Sequence, residues 1–295
     1  MRDGGHMREF IISTETNSDL PKEFLEAHNV LVIPHYYTVE EKVYGEDEEL
    51  TIKEFYDEMR AGKKVGTMAS NPAVILEKFT ELAKQGKDIL HISFSSALSC
   101  GYQNIVNGAN EVMEEYPDVK IVVVDTLNAT LGEGLLLKKA VLLKEEGKSM
   151  EEVAATIRNL VPHMGVQFTV EDLEYLYRGG RLSKTSAIIG SMVQLKPILG
   201  VTAEGGLAAV SKVRGRKKSL SAMVANMEAL MGSYKDKQVE IGIIHGDCEE
   251  EAKKLAQMIE EAYGFTDFLI APIGPSVGAH SGPGALGIAY LVENK

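Results

Sequence analysis

The chain has 295 residues, of which 44% are hydrophobic and 25% are charged, and its formal net charge is −12. This length exceeds the commonest single-domain size and suits two domains, each able to bury its own core. The acidic balance argues against nonspecific binding of nucleic acid, which needs a dominant basic face. The two cysteines and the scattered histidines match no metal-ligand or disulfide spacing, so we expect no metal and no cofactor.

No apolar run approaches the ~20 residues that a membrane span requires, and the amino end lacks the apolar core of a signal peptide. The low cysteine content fits a reducing compartment. We therefore expect a cytoplasmic protein that is not stably inserted in a membrane.

The first half alternates short apolar runs with longer helical patterns. The runs FIIS (10–13), DILHISF (88–94) and VKIVVVD (119–125) are typical of strands buried on both faces of a parallel sheet. Between and after them, apolar residues recur at helical spacing, first following Pro72 and then from Leu135 to Leu143. These patterns predict an amino-terminal α/β domain over residues 7–162.

The pattern changes near His163, beyond which glycines divide the chain into shorter pieces. The segment 196–213 predicts a β-hairpin closed at Glu204-Gly205. Further elements are expected in this order: a helix from about Lys218 to Met231, a strand at 239–245, a helix from Glu249 to Tyr263, a strand at 266–271 and a final apolar stretch at 284–292. We expect a carboxyl-terminal α/β domain with a mixed sheet over residues 163–295.

The segments at the predicted strand ends are rich in hydroxyl groups. STETNSD, SSALSCGYQ and DTLNATLGEG follow the first three strands, and VGTMASNP precedes the helix that begins near Pro72. Carboxyl ends of parallel strands meet at one sheet edge, where ligands bind, and hydroxyls and helix amides there can hold an anion. The same residue types also cap helices. The pattern thus predicts capping alone or a site for a small anionic group, with Thr67 and Ser99 as its strongest candidates.

Two segments keep an enzyme open as the alternative. GPSVG (274–278) matches a nucleophile elbow, although only His280 and Glu293 follow Ser276 as partners in chain order. Cys100 lies near a predicted helix start, where a thiol can become nucleophilic, but no partner base is identifiable. The alternative hypothesis is a stand-alone enzyme that acts on a small anionic or acyl substrate through Cys100, Ser276 or His280.

A basic run, KVRGRKK (212–218), places five cations in seven positions of an acidic chain. Such a run is either a solvated surface or a docking surface for an acidic partner or a phosphorylated product. Arg214, Arg216 and Lys217 are the candidate docking residues.

The motifs, taken in chain order, resemble those of the DegV family, whose members include the fatty-acid-binding subunits of bacterial fatty acid kinase. They are SDLP, TMASNP, SSALSCGYQ, VVVDTLNATLGEG, FTVEDLEYLYRGGRLS, LKPILGV, KVRGRKK and IGPSVGAHSGPGALG, and they span nearly the whole chain. The resemblance implies a two-domain α/β protein that holds one long-chain fatty acid between its domains. It also implies a noncatalytic carrier that presents the carboxylate to a fatty acid kinase for phosphorylation.

The resemblance further implies which residues contact the head group. By position in the family's motifs, these are Thr67, Ser99 and His280, with Arg181 near the same region. Neighbouring positions of the same motifs complete the expected ligand-binding set: Cys100, Gly101 and Ser281.

The chain departs from the family's usual motifs at several of these positions. Met68 stands where a serine is common, Cys100-Gly101 stands where Gly-Thr is common, and Glu15-Thr16 stands in place of Asp-Ser. A side chain at position 100 restricts how closely a ligand can approach the backbone. We therefore expect head-group geometry that differs from that of the family at large.

Overall fold

The computed structural model describes residues 8–46, 48–182 and 195–295. Residue 7, the expected start of the first domain, lies outside these ranges. The strands in chain order are β1 (Phe10–Glu15), β2 (Leu31–Ile33), β3 (Tyr36–Val39), β4 (Lys42–Tyr44), β5 (Val65–Met68), β6 (Asp88–Ser93), β7 (Ile121–Asp125), β8 (Met164–Thr169), β9 (Leu195–Val201), β10 (Leu207–Arg214), β11 (Ile241–His245), β12 (Phe268–Pro272) and β13 (Leu286–Leu291).

The α-helices in chain order are α1 (Lys22–Ala27), α2 (Ile52–Arg60), α3 (Pro72–Lys84), α4 (Gly101–Glu115), α5 (Leu131–Glu145), α6 (Met150–Leu160), α7 (Glu174–Arg178), α8 (Arg216–Met231), α9 (Glu249–Tyr263) and α10 (Pro275–Ser281). Short 3-10 helices occupy Thr16–Ser18, Val161–His163 and Gly232–Lys237. In the described ranges, no helix is long and apolar enough to cross a membrane.

The first sheet is parallel and has the strand order β2-β1-β6-β7. Strand β6 is buried at every residue, because helices cover both faces of such a sheet. The three apolar runs of the first half therefore form the strands that their composition predicts, and the expected parallel sheet is confirmed. All of these strands end at the same edge, which places the hydroxyl-rich segments together.

The second sheet is mixed, with the order β10-β9-β8-β13-β11-β12. Only β11 and β12 pair in parallel, and the other pairs are antiparallel. Strands β9 and β10 form the predicted hairpin, in whose turn Gly205 adopts a positive φ of 82° that suits glycine. Helix α8 begins at Arg216 rather than at Lys218, and α9 has the expected bounds. The expected α/β class with a mixed second sheet is confirmed.

A third sheet, in which β3 pairs with β4 and β5, was not predicted. Its strands have three or four residues and are partly exposed, so they carry no long apolar run. Helices α2 and α6 were also missed, although each begins with a capping box, Thr51 with Glu54 and Ser149 with Glu152. The third sheet matters because β5 holds Thr67.

Helix α5 lies between the first and second sheets. Its first seven residues are all buried, which is typical of a helix that packs on every side. One hydrophobic cluster joins Leu131 and Leu135 of this helix to Val166 on β8 and Ala289 on β13. The core of the first half is therefore continuous with that of the second, and a domain boundary near His163 remains a prediction.

Candidate functional site

A cavity of about 1030 Å³, counting the part that is open to solvent, is lined by residues of both halves. Most of the lining is apolar, as in Leu98, Ala129, Val166, Phe168, Ile244 and Ile273. The cavity can therefore accept an extended apolar group.

Three of the expected head-group residues lie at the polar end of this cavity. Thr67 on β5 and His280 on α10 are joined by a hydrogen bond of 2.8 Å between Oγ1 and Nε2. Ser99, which follows β6, also lines the cavity, and its Oγ accepts a hydrogen bond of 3.0 Å from the N–H of Gly101. The fold thus brings together three residues that are far apart in the sequence.

The other expected ligand-binding residues lie around these three. Cys100, Arg181 and Ser281 line the cavity, and Gly101 is the first residue of α4 beside it. The Arg181 side chain is held in place by a hydrogen bond of 3.1 Å from its Nε to the carbonyl oxygen of Leu98. Which of these residues contact a ligand remains a prediction.

His280 has an altered protonation equilibrium. Burial and, secondarily, the positive charge of Arg181 lower its pKa from 6.5 to about 4. The imidazole is therefore neutral at neutral pH in the ligand-free protein, where it shares a hydrogen bond with Thr67. An anion placed beside it would favour the charged form and raise this pKa.

Gly179 accounts for the close approach of His280 to the end of α7. A Cβ atom at this position would lie 2.1 Å from His280 Nδ1, much closer than real contacts allow. Gly179 thus provides space for the histidine ring, and Gly180, whose φ is 70°, follows the end of the helix.

Several polar residues of the cavity were not singled out from the sequence. Asn17 and Thr130 line it, and Asn17 Oδ1 and Thr130 Oγ1 are buried without a hydrogen-bond partner among the described residues, as is Ser281 Oγ. His35, between β2 and β3, also lines the cavity. Asn17 and Thr130 lie in the hydroxyl-rich segments identified from the sequence, whereas His35 follows a strand that no sequence pattern predicted.

Comparison with known proteins agrees with this architecture. The family model described as "Uncharacterised protein, DegV family" matches residues 9–293. The chain belongs to the DegV family. A DegV domain-containing protein of Clostridium perfringens is 38% identical over 98% of this chain and 99% of its own length.

Two DegV family proteins of known structure are fatty-acid-binding proteins. The DegV family protein of Thermus thermophilus has a TM-score of 0.86 and 28% identity, and the comparison covers 97% of this chain and 100% of that one. DegV of Bacillus subtilis has a TM-score of 0.82 and 27% identity, with the same coverage of both chains. These similarities extend over nearly the whole chain.

In this DegV family chain, the four serines between residues 93 and 99 serve different structural purposes. Ser93 Oγ donates to Glu15 Oε1 at 2.9 Å, and Ser95 Oγ donates at 2.8 Å to the carbonyl oxygen of Gly205 in the β9–β10 turn. Ser96 is exposed, and its main-chain N–H donates to Asp125 Oδ1 at 3.3 Å. Ser99 is the member of the group that lines the cavity.

A buried polar network lies beneath the cavity in the first sheet. Glu15 is fully buried, accepts from Ser93 Oγ and from the N–H of Phe94, and lies 3.2 Å from His91 Nε2. Burial alone would raise the pKa of Glu15, but the interactions with His91, His35 and Ser93 together lower it. The network fixes the chain at Phe94, which directly follows β6 and lines the cavity.

Helix α10, which holds His280, is anchored to the first half by two hydrogen bonds. Tyr56 Oη donates at 3.0 Å to the carbonyl oxygen of Ile273, and Asp19 Oδ1 accepts at 3.0 Å from the N–H of Gly274. Burial raises the pKa of Asp19 to about 8 despite this hydrogen bond. These contacts set the position of His280 relative to Thr67.

The basic run has a mixed environment. Arg216 is bound to Glu251, with Nη2 and Oε2 at 2.6 Å, and its Nε is 3.5 Å from Glu171 Oε1. Arg214 and Lys217 are exposed. The exposed positions of Arg214 and Lys217 suit a docking role, whereas Arg216 is half-buried between two carboxylates.

Within the described ranges, no hydrogen bond joins the side chain of Cys100 or Ser276, the candidate nucleophiles of the alternative hypothesis, to a side-chain base. Cys100 is exposed, and Ser276 lies on the same helix as His280, whose Nε2 bonds to Thr67 instead. Among the residues that the structure describes, no group of three or more His, Cys, Asp or Glu is placed to hold a metal ion.

Proposed function

We propose that this DegV family protein is a cytoplasmic carrier that binds one long-chain fatty acid and presents its carboxylate to a fatty acid kinase. The observation that carries the proposal is the cavity itself, whose lining is mostly apolar and also includes Thr67, Ser99 and His280. The fatty-acid-binding relatives from T. thermophilus and B. subtilis support it.

The apolar part of the cavity would supply most of the affinity. Burial of an alkyl chain of about 15 methylenes gains on the order of 12 kcal/mol, at about 0.8 kcal/mol per methylene. Loss of translational and rotational freedom, together with incomplete burial, consumes much of this gain. Chain length would therefore govern how tightly the acid binds.

The polar end would orient the acid. A carboxylate that leaves water needs hydrogen-bond donors to offset its desolvation. The hydroxyl groups of Thr67 and Ser99 can donate without adding charge, and His280 can donate from its ring or take up a proton. This arrangement would hold an ionised head group.

The first test combines native mass spectrometry with a double variant, Ser99→Ala with His280→Ala. The wild-type protein should carry one fatty acid that can be extracted with solvent. The variant should stay folded and bind added palmitate more weakly by roughly 1–3 kcal/mol, the range for losing hydrogen bonds to a charged group. Direct titration measures the difference.

The matched control is Ser96→Ala with His28→Ala, which removes the same groups away from the cavity. An affinity of the Ser99→Ala/His280→Ala protein equal to that of this control would refute the head-group assignment. Hydrolysis of acyl esters by the wild-type protein alone would favour the enzyme over the carrier.

Kinase docking is tested separately with Arg214→Glu and Lys217→Glu combined. The variant should bind palmitate normally and slow phosphorylation by the partner kinase by about tenfold or more, because reversed charges disfavour association. Lys84→Glu with Lys139→Glu is the control, since both lysines are exposed and lie outside the basic run. If the kinase phosphorylates the bound acid at the same rate in the Arg214→Glu/Lys217→Glu variant and in this control, Arg214 and Lys217 are excluded as docking residues.

A further inference from the structure

We propose that His35 is an additional head-group residue, whose Nε2 atom binds the carboxylate beside Ser99. This inference rests on the proposed fatty acid function and deepens it. It identifies a residue that selects an ionised acid over an uncharged lipid of the same length.

The position of His35 follows from the first sheet. Strand β2 ends at Ile33, at the same sheet edge as β1 and β6, and His35 lies just beyond it. Its main-chain N–H donates to Thr16 Oγ1 at 3.0 Å, which holds the residue against the segment after β1. The side chain is thereby directed to the edge where the hydroxyl-rich segments meet, and it lines the cavity.

The imidazole of His35 has an unsatisfied atom. The residue is only 6% exposed, and its Nε2 is buried without a hydrogen-bond partner among the described residues. A buried polar atom without a partner is unfavourable, and native proteins contain few of them. An unpartnered nitrogen in a ligand cavity therefore points to a ligand atom as its partner.

Gly101 shows where that ligand atom would lie. A Cβ atom on Gly101 would be 3.1 Å from His35 Nε2 and 3.2 Å from Ser99 Oγ. The nitrogen and the hydroxyl thus border one small volume, which is open because residue 101 has no side chain. This volume is also at the start of the 15-residue helix α4, where main-chain N–H groups favour an anion.

The charges around His35 make its binding of an anion dependent on protonation. Burial lowers the pKa of His35, while the negative charge of Glu15 on β1 opposes this shift and His91 on β6 adds to it. Arg181 and His280 line the same cavity. A bound carboxylate would raise the pKa of His35, so binding would be accompanied by proton uptake. Affinity should then fall as the pH rises through the pKa of His35 in the complex.

The experiment compares the wild-type protein with His35→Leu and His35→Gln. Palmitate and hexadecanol are titrated into each at about pH 6, and calorimetry in two buffers of different ionisation enthalpy measures proton uptake. His35→Leu should weaken palmitate binding by about tenfold or more and leave hexadecanol binding within about twofold. His35→Gln should retain part of the affinity, because its amide can donate, but take up fewer protons than the wild type.

The ligand-free stability of the variants separates binding from structure. His35→Leu should unfold at the wild-type temperature or above, because it removes a buried nitrogen that has no partner. His28→Gln, a histidine outside the cavity, serves as the control and should bind and take up protons like the wild type.

Two results would overturn the inference. One is equal binding of palmitate by the wild-type protein and both His35 variants. The other is an equal loss of palmitate and hexadecanol binding in His35→Leu, which would indicate that His35 only shapes the cavity wall and does not bind the carboxylate. If the wild-type protein itself takes up no palmitate, the proposed function fails and this inference fails with it. If the wild type binds and the variants are unchanged, only the role of His35 fails.

Discussion

The variant Ala129→Phe is expected to lose the uptake of long-chain acids while remaining folded. Ala129 lines the cavity together with Phe94 and Leu98, so a phenyl ring at this position would occupy space that the alkyl chain needs. Excluding about half of the methylenes from burial should lower palmitate affinity by at least about a hundredfold. Direct titration with palmitate and octanoate measures the loss, which should be smaller for the shorter acid.

Ala155→Phe provides the control, because Ala155 is exposed on α6 and has no contact with the cavity. It adds the same ring without obstructing the site and should bind palmitate normally. Since overpacking can itself destabilise a protein by about 1–3 kcal/mol, the thermal unfolding of both variants is compared first, and Ala129→Leu provides a smaller obstruction. Undiminished palmitate binding by a folded Ala129→Phe protein would show that the alkyl chain lies elsewhere.

The largest effect on stability is expected from His91→Leu. This change removes the imidazole that lies 3.2 Å from the fully buried Glu15 carboxylate. A buried charge that loses its partner destabilises a protein by about 3–5 kcal/mol. Urea denaturation near neutral pH should show this decrease in the free energy of unfolding.

The double variant His91→Leu with Glu15→Gln tests the cause. Glutamine has no charge but retains an acceptor for Ser93 Oγ, so the double variant should recover much of the stability lost by His91→Leu alone. The wild-type contribution of Glu15 is present at neutral pH and is lost as the pH falls below its ordinary pKa of 4.5, because the folded-state pKa is lowered. A loss of less than about 1 kcal/mol in His91→Leu would mean that the pair is not important for stability.

The predictable part of the site follows from the regular part of the fold. Continuous apolar runs predict parallel strands, parallel strands place their carboxyl ends together, and this places Ser99 near the other hydroxyl-rich segments. Thr67 was marked by the same reasoning, although the strand that holds it was missed. His280 and Arg181 were assigned only through resemblance to the DegV family, because their approach depends on contacts between distant parts of the chain.

The remaining site residues depend on features that leave little trace in a sequence. His35 follows β2, a strand of three residues whose neighbours give no clear period-two pattern. Glu15 and His91 are polar residues within buried strands, where a pattern of apolar residues would not suggest them. Their contact with each other offsets the cost of burying them. Such pairs become apparent only when the register of β1 against β6 is known.

The shared packing of α5 has a consequence for how this protein could have diversified. Many two-domain proteins acquire new specificities when one domain is exchanged for that of a relative. Here the inner face of the second sheet, at Val166 and Ala289, packs against Leu131 and Leu135 of the first half. If one half were replaced by that of a relative, its side chains would not be complementary to those of helix α5. Single substitutions in the cavity wall would disturb this packing less, so they offer the simpler route to a changed ligand preference.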